Sequence, residues 1–202
     1  FGTKLGEAIS ETVERLGKAV DICLGKGLIG QAYDIFIVLL KLDPDNQTAH
    51  KGLGHVLIEG RWYRRYEADM LVQGLEWNPT WGFIPRGYIG QYETGQIYDF
   101  GKQMWRPLEE ANLSHESVDD PWHLVSENFH LVTTANLKLS TDVLKRLEAV
   151  YLQVFRKYDL FFKGTQGAMK IFGMGPTTQK LLVHFYKDRD QFMQFSEPPV
   201  EW

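Results

Sequence analysis

Hydrophobic side chains recur at a helical spacing in the first third of the chain. Between residues 3 and 24 they return every three or four positions, which is the period of an amphipathic helix. The members of this apolar stripe are Leu5, Ile9, Val13, Leu16, Val20 and Leu24. A second helix is predicted at about 28–42, with one apolar face. Its members are Ala32, Ile35, Phe36, Leu39 and Leu40.

A third helix is predicted at about 47–59. Pro44 ends the preceding helix because proline disfavours helical backbone in the residue before it, and Asp45 or Asn46 is suited to cap the new one. The residues expected to face inward are Ala49, Leu53, Val56 and Leu57.

The middle of the chain alternates aromatic residues with glycine and proline. Five of the six tryptophans lie between residues 60 and 122, and this texture favours short strands and turns over long helices. Short helices are predicted at 66–74 and 107–114. A unit of glycine, tryptophan and an acidic helix occurs twice, at 60–74 and 101–114, which suggests an internal repeat.

The last third predicts a strand, a helix and a second strand. Polar and apolar residues alternate over 122–134 as one strand, 139–158 has a long apolar helical face, and 180–186 is typical of a buried strand. A helix then begins near residue 188, with Phe192 and Phe195 inward. Two parallel strands joined in this way would form a right-handed crossover.

These elements together predict an α+β fold with three segments. They are helical hairpins at 1–59, a Trp-rich strand and turn linker at 60–120, and a strand–helix–strand unit at 121–202. A glycine-rich loop at 164–176 would connect the last helix to the second strand, and it lacks the ending of a phosphate-binding loop.

The composition argues against a nucleic-acid-binding protein, a membrane-spanning protein and a disulfide-linked scaffold. The net charge of -4 is no footprint for nucleic acid, and no apolar run reaches the roughly 20 residues of a membrane span. Cys23 is the single cysteine, so no intrachain disulfide can form. The chain begins at Phe1 without a signal peptide, and an exported location in the cell envelope or periplasm is expected if an upstream one was removed.

The helical segment resembles a tetratricopeptide repeat. The positions that carry the resemblance are Leu16, Ala19, Ala32, Phe36, Leu39 and the sequence Leu-Asp-Pro-Asp-Asn at 42–46. About one repeat matches, and the next departs from the pattern at Gly60. Stable solenoids need about three repeats, so either further repeats precede Phe1 or a two-helix core packs on the rest of the chain.

A second resemblance covers roughly residues 60–195. The sequences around 119–134, 147–151 and 182–192, with the Trp-rich stretches before them, resemble the entry to a peptidase-MA-like (gluzincin-like) domain of bacterial proteins. That resemblance implies a zinc-binding His-Glu-x-x-His helix further along the parent protein. The motif is missing from these 202 residues, so no catalytic, cofactor-binding or metal-binding residue is assigned, and zinc is expected only in a downstream domain.

The six histidines were tested as metal ligands by their spacing. His50 and His55 would lie about 140° apart around one helix. His123 and His130, interpreted as members of one strand, would lie on opposite faces. Neither pair is therefore predicted to bind metal.

The aromatic middle is the candidate interaction surface. Its members are Trp62, Trp77, Trp81, Trp105 and Arg86. Tryptophans can stack on a sugar or a peptide, and they can equally form the core of small hairpins. Acidic residues at 109, 110, 116, 119 and 120 are expected on the solvated surface.

The predicted function is a non-catalytic protein-interaction or scaffolding module, a fragment of a larger bacterial metallopeptidase-like protein. Its partner would be another protein or other domains of the same parent, with no nucleic acid and no membrane span. One alternative is a zinc metallopeptidase whose active site lies beyond Trp202. A second is a structural subunit of a larger assembly.

Overall fold

A computed structural model describes residues 2–157 and 180–196 of the chain. The predicted glycine-rich loop at 164–176 lies outside these residues. The described residues form two compact units. The first contains 2–69 and 150–157, and the second contains 70–149 and 180–196. This division does not follow the three predicted segments at 1–59, 60–120 and 121–202.

Three helices open the first compact unit. They are α1 (Gly2–Gly25), α2 (Ile29–Leu42) and α3 (Gln47–Gly52). The buried residues that hold them together are Val20, Phe36, Leu39, Ala49 and Leu53. The Asn46 side chain caps α3 by accepting a hydrogen bond from the Ala49 N–H at 2.9 Å, as the sequence predicted for this position.

The third helix is shorter than predicted. It ends at Gly52 instead of residue 59, and Gly54 follows with a left-handed φ of 71°, a conformation that glycine adopts without steric cost. The chain then forms the strands β1 (Val56–Ile58) and β2 (Arg61–Tyr63), joined at Glu59 and Gly60 with φ of 48° and 79°. The prediction that Val56 and Leu57 face a helical core was therefore wrong.

Close packing fixes the residue at the end of α3. A Cβ atom at Gly52 would lie 2.2 to 2.6 Å from three ring carbons of Phe36, whose side chain is 2% exposed. Real carbon contacts are about 3.5–4.0 Å. Glycine is thus required at position 52 by the ring beside it.

The Trp-rich segment folds into β-hairpins that are each followed by a helix. After β2 come α4 (Arg65–Val72), β3 (Leu75–Asn78), β4 (Gly82–Pro85), a 3-10 turn (Arg86–Tyr88), α5 (Ile89–Glu93), β5 (Gln96–Asp99), β6 (Met104–Pro107) and α6 (Leu108–Ser114). The hairpins β1–β2, β3–β4 and β5–β6 are separate two-stranded antiparallel sheets. The helices predicted at 66–74 and 107–114 are present with shifted ends.

The internal repeat occurs three times, not twice. We call each copy a hairpin–helix repeat. Gly54, Gly74 and Gly95 precede the three hairpins, and all have a left-handed φ. In the second repeat the Arg86 N–H donates to Gly74 O at 3.1 Å, and in the third the Leu108 N–H donates to Gly95 O at 2.9 Å. These bonds close the second and third hairpins at equivalent positions, between the glycine before the first strand and the residue after the second strand.

A three-stranded sheet completes the second compact unit. Its strands are β7 (Trp122–Val125), β8 (Phe129–Thr133) and β9 (Leu181–Phe185), in the order β7-β8-β9. The long helix α7 (Leu137–Lys157) follows β8, and α8 (Arg189–Phe195) follows β9. The parallel pairing of β8 with β9 agrees with the predicted strand–helix–strand unit.

The single strand predicted over 122–134 is instead an antiparallel hairpin. The turn at 126–128 is held by Glu148 of α7. Its carboxylate accepts hydrogen bonds from the Ser126 hydroxyl at 2.5 Å and from the Asn128 N–H and side-chain amide, each at 2.7 Å. A contact 20 residues further along the chain therefore stabilises this turn.

Two predictions of burial at the C-terminal end were wrong. Strand β9 was expected to be buried, yet Leu181 and Leu182 are 51% and 59% exposed, because β9 is an edge strand of this sheet. Phe192 and Phe195 of α8 were expected to face inward, and each is 45% exposed.

The α+β fold class is confirmed, with a helical hairpin first and mixed strands and helices after it. Among the described residues, no helix combines the length and the apolar character needed to cross a membrane.

Candidate functional site

The hairpin–helix repeats carry large apolar side chains at equivalent positions. The third residue after each of Gly54, Gly74 and Gly95 pairs directly with an aromatic residue of the second strand, and such pairs share one face of a hairpin. The pairs are Leu57 with Trp62, Trp77 with Phe83, and Tyr98 with Trp105. Three of the four tryptophans of the predicted surface are therefore members of a repeated pattern, and Trp81 is not.

Trp62 lies in the first compact unit against His50. Its ring stacks on His50, with centroids 4.4 Å apart and planes 9° apart. His50 is buried, and its ring nitrogens meet Pro44 O at 2.8 Å and His55 Nδ1 at 2.7 Å. Because α3 ends at Gly52, His55 folds back onto His50, and the prediction that these two imidazoles point apart was wrong. Burial, and then the charge of His50, lower the pKa of His55.

Trp77 and Trp81 lie in the second compact unit beneath lysines of α7. Trp77 is 50% exposed and meets the edge of Phe83, with centroids 5.2 Å apart. Lys145 Nζ lies 5.7 Å from the Trp77 ring centroid and also donates to the Pro79 carbonyl. Lys138 Nζ lies 5.3 Å from the centroid of Trp81. These are cation–π distances, so α7 orients both rings.

Trp105 belongs to a connected aromatic cluster in the second compact unit. Its ring centroid lies 4.7 Å from Tyr88, 6.1 Å from Tyr92 and 5.5 Å from Tyr98. Tyr98 in turn meets Phe100 at 5.0 Å, at the tip of the β5–β6 hairpin. The cluster is thus packed at one end and reaches the surface at Phe100, which is 63% exposed.

The remaining predicted surface residue, Arg86, pairs with Glu76 across the β3–β4 hairpin. Its Nε donates to Glu76 Oε2 at 3.0 Å, and both side chains are well exposed. The structure therefore holds Trp77, Trp81, Trp105 and Arg86 in the second compact unit, while Trp62 belongs to the first. Most of Trp81 and Trp105 packs against the core of the second unit.

Sequence reasoning missed two exposed residues of the third hairpin. Phe100 and Met104, at the tip, are 63% and 51% exposed. We group them with Trp77 as the exposed hairpin side chains. The repeated glycines at 54, 74 and 95 were the signal that would have placed these residues at a hairpin tip instead of in a linker.

A buried charge network lies beneath this third hairpin. Asp99 is 0% exposed, and its carboxylate accepts from Lys102 N–H at 3.0 Å, from His115 Nε2 at 3.1 Å and from Arg106 Nη1 at 3.3 Å. Burial by itself raises the pKa of Asp99, but the bond from Lys102 N–H and those from His115 and Arg106 outweigh it and lower the pKa. The carboxylate is thus held in its charged form.

The other side of this network consists of residues predicted as solvated acids. Glu110 accepts from Arg106 at 2.9 Å, Asp120 pairs with Lys102 at 2.9 Å, and the Asp120 carbonyl meets His115 Nδ1 at 2.8 Å. Outside the network, Glu116 pairs with Lys187 at 2.7 Å. The His115 ring also packs on Trp122 at 3.8 Å. These contacts join the third hairpin to α6 and β7. Asp99 and His115 are buried, so neither side chain is open to a substrate in solution.

Histidines on the outer face of the three-stranded sheet correct the second histidine prediction. His123 Nδ1 lies 3.1 Å from His130 Nε2, so these rings share a face. The reason is the turn at 126–128, which places them on neighbouring strands. Burial, followed by the charges of His123 and His184, lowers the pKa of His130. In the described part of the chain, no three metal-ligating side chains already converge.

Protein-family models, curated proteins and solved structures were each compared with this chain, and none of them matches it. The resemblances to a tetratricopeptide repeat and to the entry of a gluzincin-like domain therefore remain predictions from the sequence.

Proposed function

We propose that this chain is a protein-interaction module that binds an apolar segment of a protein partner through its exposed hairpin side chains. The observation that carries the proposal is the partial exposure of large apolar residues at the hairpins of the second compact unit. Trp77 is 50% exposed, Phe100 63% and Met104 51%.

The chemistry of these side chains suits protein recognition. Tryptophan, phenylalanine and methionine are enriched at the centres of protein interfaces, where each removes a large apolar area from water. The Trp77 ring contacts the Phe83 ring and lies within cation–π distance of the Lys145 ammonium. The Phe100 ring contacts the Tyr98 ring. A side chain oriented before binding loses less conformational entropy in the complex.

The acidic and basic groups nearby support binding over turnover. Among the described residues of the second compact unit, Asp99, His115 and Arg106 form a cluster of titratable side chains. Arg106 and His115 both donate hydrogen bonds to the Asp99 carboxylate. A general acid or base must reach a substrate proton, and this buried cluster is enclosed. The metallopeptidase alternative depends on residues beyond Trp202 and is decided by the parent gene sequence.

Crosslinking in an extract of the source cells tests the proposal. A photoreactive phenylalanine analogue replaces Phe100 in one variant and Leu113 in a control, because Leu113 is 69% exposed and belongs to α6 instead of a hairpin. A partner crosslinked at position 100 and not at 113 is then purified. Its affinity is measured by calorimetry for the wild-type chain, Trp77→Ala, Phe100→Ser and Leu113→Ser.

We expect Trp77→Ala and Phe100→Ser each to weaken binding by about tenfold or more, as for truncation of an interface anchor worth over about 1.4 kcal/mol. Leu113→Ser should leave the affinity unchanged. Equal affinity in all four proteins, or crosslinks that do not depend on position, would show that the hairpin side chains do not bind the partner.

A further inference from the structure

Three imidazoles share the outer face of the three-stranded sheet. His123 pairs with Val132, and Val132 pairs with His184 on the other side. Directly paired residues point to the same face, as do residues two apart on one strand. His130 is two residues from Val132, so His123, His130 and His184 all project from this face. His123 and His184 are exposed, and His130 is half-buried.

The separation of the first two ring nitrogens matches a metal chelate. His123 Nδ1 and His130 Nε2 lie 3.1 Å apart. Two imidazole nitrogens bound to one tetrahedral zinc ion at about 2.0–2.1 Å lie about 3.3–3.4 Å apart. A metal ion could therefore replace the hydrogen bond between the rings with a displacement of a few tenths of an ångström.

His184 is placed to supply a third ligand. It lies on β9, one diagonal step from His130, because His130 pairs with Leu182 and His184 is two residues further. Diagonal neighbours on a sheet have Cα atoms roughly 7–8 Å apart, which long side chains can span.

We propose that His123, His130 and His184 bind a divalent transition-metal ion, with His123 and His130 as the primary chelate. Imidazole nitrogen is a preferred ligand of zinc, copper and nickel ions. Water would complete the coordination, since this face is open to solvent. The site is independent of the proposed protein-binding surface.

Among the described residues, the direct strand neighbours of the three histidines on this face are apolar and supply no further metal ligand. Val125, Val132 and Leu182 surround the histidines on this face. Lys180 also contributes to the lowered pKa of His130, and its ammonium is held by the carbonyls of Ser126 and Glu127. An exposed site of imidazoles and water favours zinc over calcium or magnesium, which prefer oxygen.

Titration of zinc chloride into the full, tag-free chain at pH 7.5, followed by calorimetry, tests the proposal. The variants are His123→Ala, His130→Ala and His184→Ala. The matched control is His55→Ala, because His55 also contacts a second imidazole, but that partner, His50, is buried and bound to Pro44 O. Circular dichroism verifies that each variant is folded.

We expect one zinc ion to bind the wild type and the control equally, and saturable binding to be lost in His123→Ala and His130→Ala. Weaker binding in His184→Ala would support its role as third ligand, and cobalt substitution should give the visible absorption of a tetrahedral ion. Lack of zinc binding by the wild type, or unchanged binding in folded His130→Ala, would overturn the proposal. Unchanged binding in His184→Ala would overturn the third ligand alone.

Discussion

Alanine at position 52 should destabilise the protein although alanine is the better helix former. In an isolated helix the change from glycine gains about 0.5–1 kcal/mol. Here the new Cβ would lie 2.2 Å from the Phe36 ring at its closest point. The ring would have to retreat by about 1.3 Å to restore ordinary contact.

The surroundings of Phe36 oppose that movement. Its side chain is 2% exposed and packs in the core with Val20, Leu39 and Leu53. Overpacking of a filled core costs about 1–3 kcal/mol, and a backbone-linked atom placed this close should fall near the upper end. After subtraction of the helix gain, Gly52→Ala should lower the free energy of unfolding by about 1–2 kcal/mol.

Urea denaturation followed by far-ultraviolet circular dichroism measures this loss, because helices of the first compact unit dominate the signal that changes. Gly17→Ala in α1 is the matched control. A Cβ at Gly17 meets nothing within 4 Å, so this change should stabilise by about 0.5–1 kcal/mol. The two identical substitutions should thus have opposite signs.

A double variant separates the clash from other effects. In a Phe36→Leu background the ring carbons that meet residue 52 are gone, and Gly52→Ala should become neutral or slightly stabilising, with a coupling energy of about 2 kcal/mol. If Gly52→Ala is as stable as the wild type, or costs the same with leucine at position 36, the close contact does not govern this position.

Three further substitutions test other contacts. Asp99→Asn should lower stability by about 1.5–3 kcal/mol at pH 7, since it removes the charged acceptor of Arg106 and His115 while Glu110 still pairs with Arg106. Because the folded-state pKa of Asp99 is lowered, that difference should shrink as the pH falls below about 4, in parallel chemical denaturation of both proteins. The pKa of His55 is lowered in the folded state, so as the pH falls the unfolded chain takes up a proton at this residue before the folded chain does. The stability of the wild type should therefore fall as the pH drops below about 6.5, and the stability of His55→Gln should fall less. Parallel curves of stability against pH for the two proteins would refute this. Glu148→Gln should cost about 1.5–3 kcal/mol by weakening the bonds to the turn at 126–128, whereas Asp142→Asn, exposed on the same helix, should stay within about 0.5 kcal/mol.

Periodicity predicted the elements whose contacts are local. The stripe between residues 3 and 24 specifies α1, and Pro44 with Asn46 marks the junction of α2 and α3. The early end of α3 could also have been foreseen, because glycines at 52 and 54 interrupt the helical pattern. The requirement for glycine at position 52 could not have been foreseen, since it depends on the ring of Phe36, sixteen positions earlier in the chain.

Other predictions failed where a turn was missed. Residues 122–134 were interpreted as one strand, although Ser126, Glu127 and Asn128 are three consecutive polar residues, which favour a turn. Glu148 and Lys180 both bind this turn. The error extended to the histidines, because strand pairing decides whether His123 and His130 face each other. The aromatic residues at 77, 81 and 105 all lie in the second compact unit, but their exposure depends on packing that composition does not specify.

The separateness of the three hairpins affects how such a chain can change in length. No strand of one hairpin–helix repeat is hydrogen-bonded in a ladder with a strand of another among the described residues. Each strand pair closes over at most a dozen residues, which keeps the entropic cost of loop closure low and favours rapid formation. Insertion or deletion of a whole repeat of 20 or 21 residues would therefore leave the register of every remaining hairpin intact, so a chain built on this plan can gain or lose exposed hairpin side chains one repeat at a time.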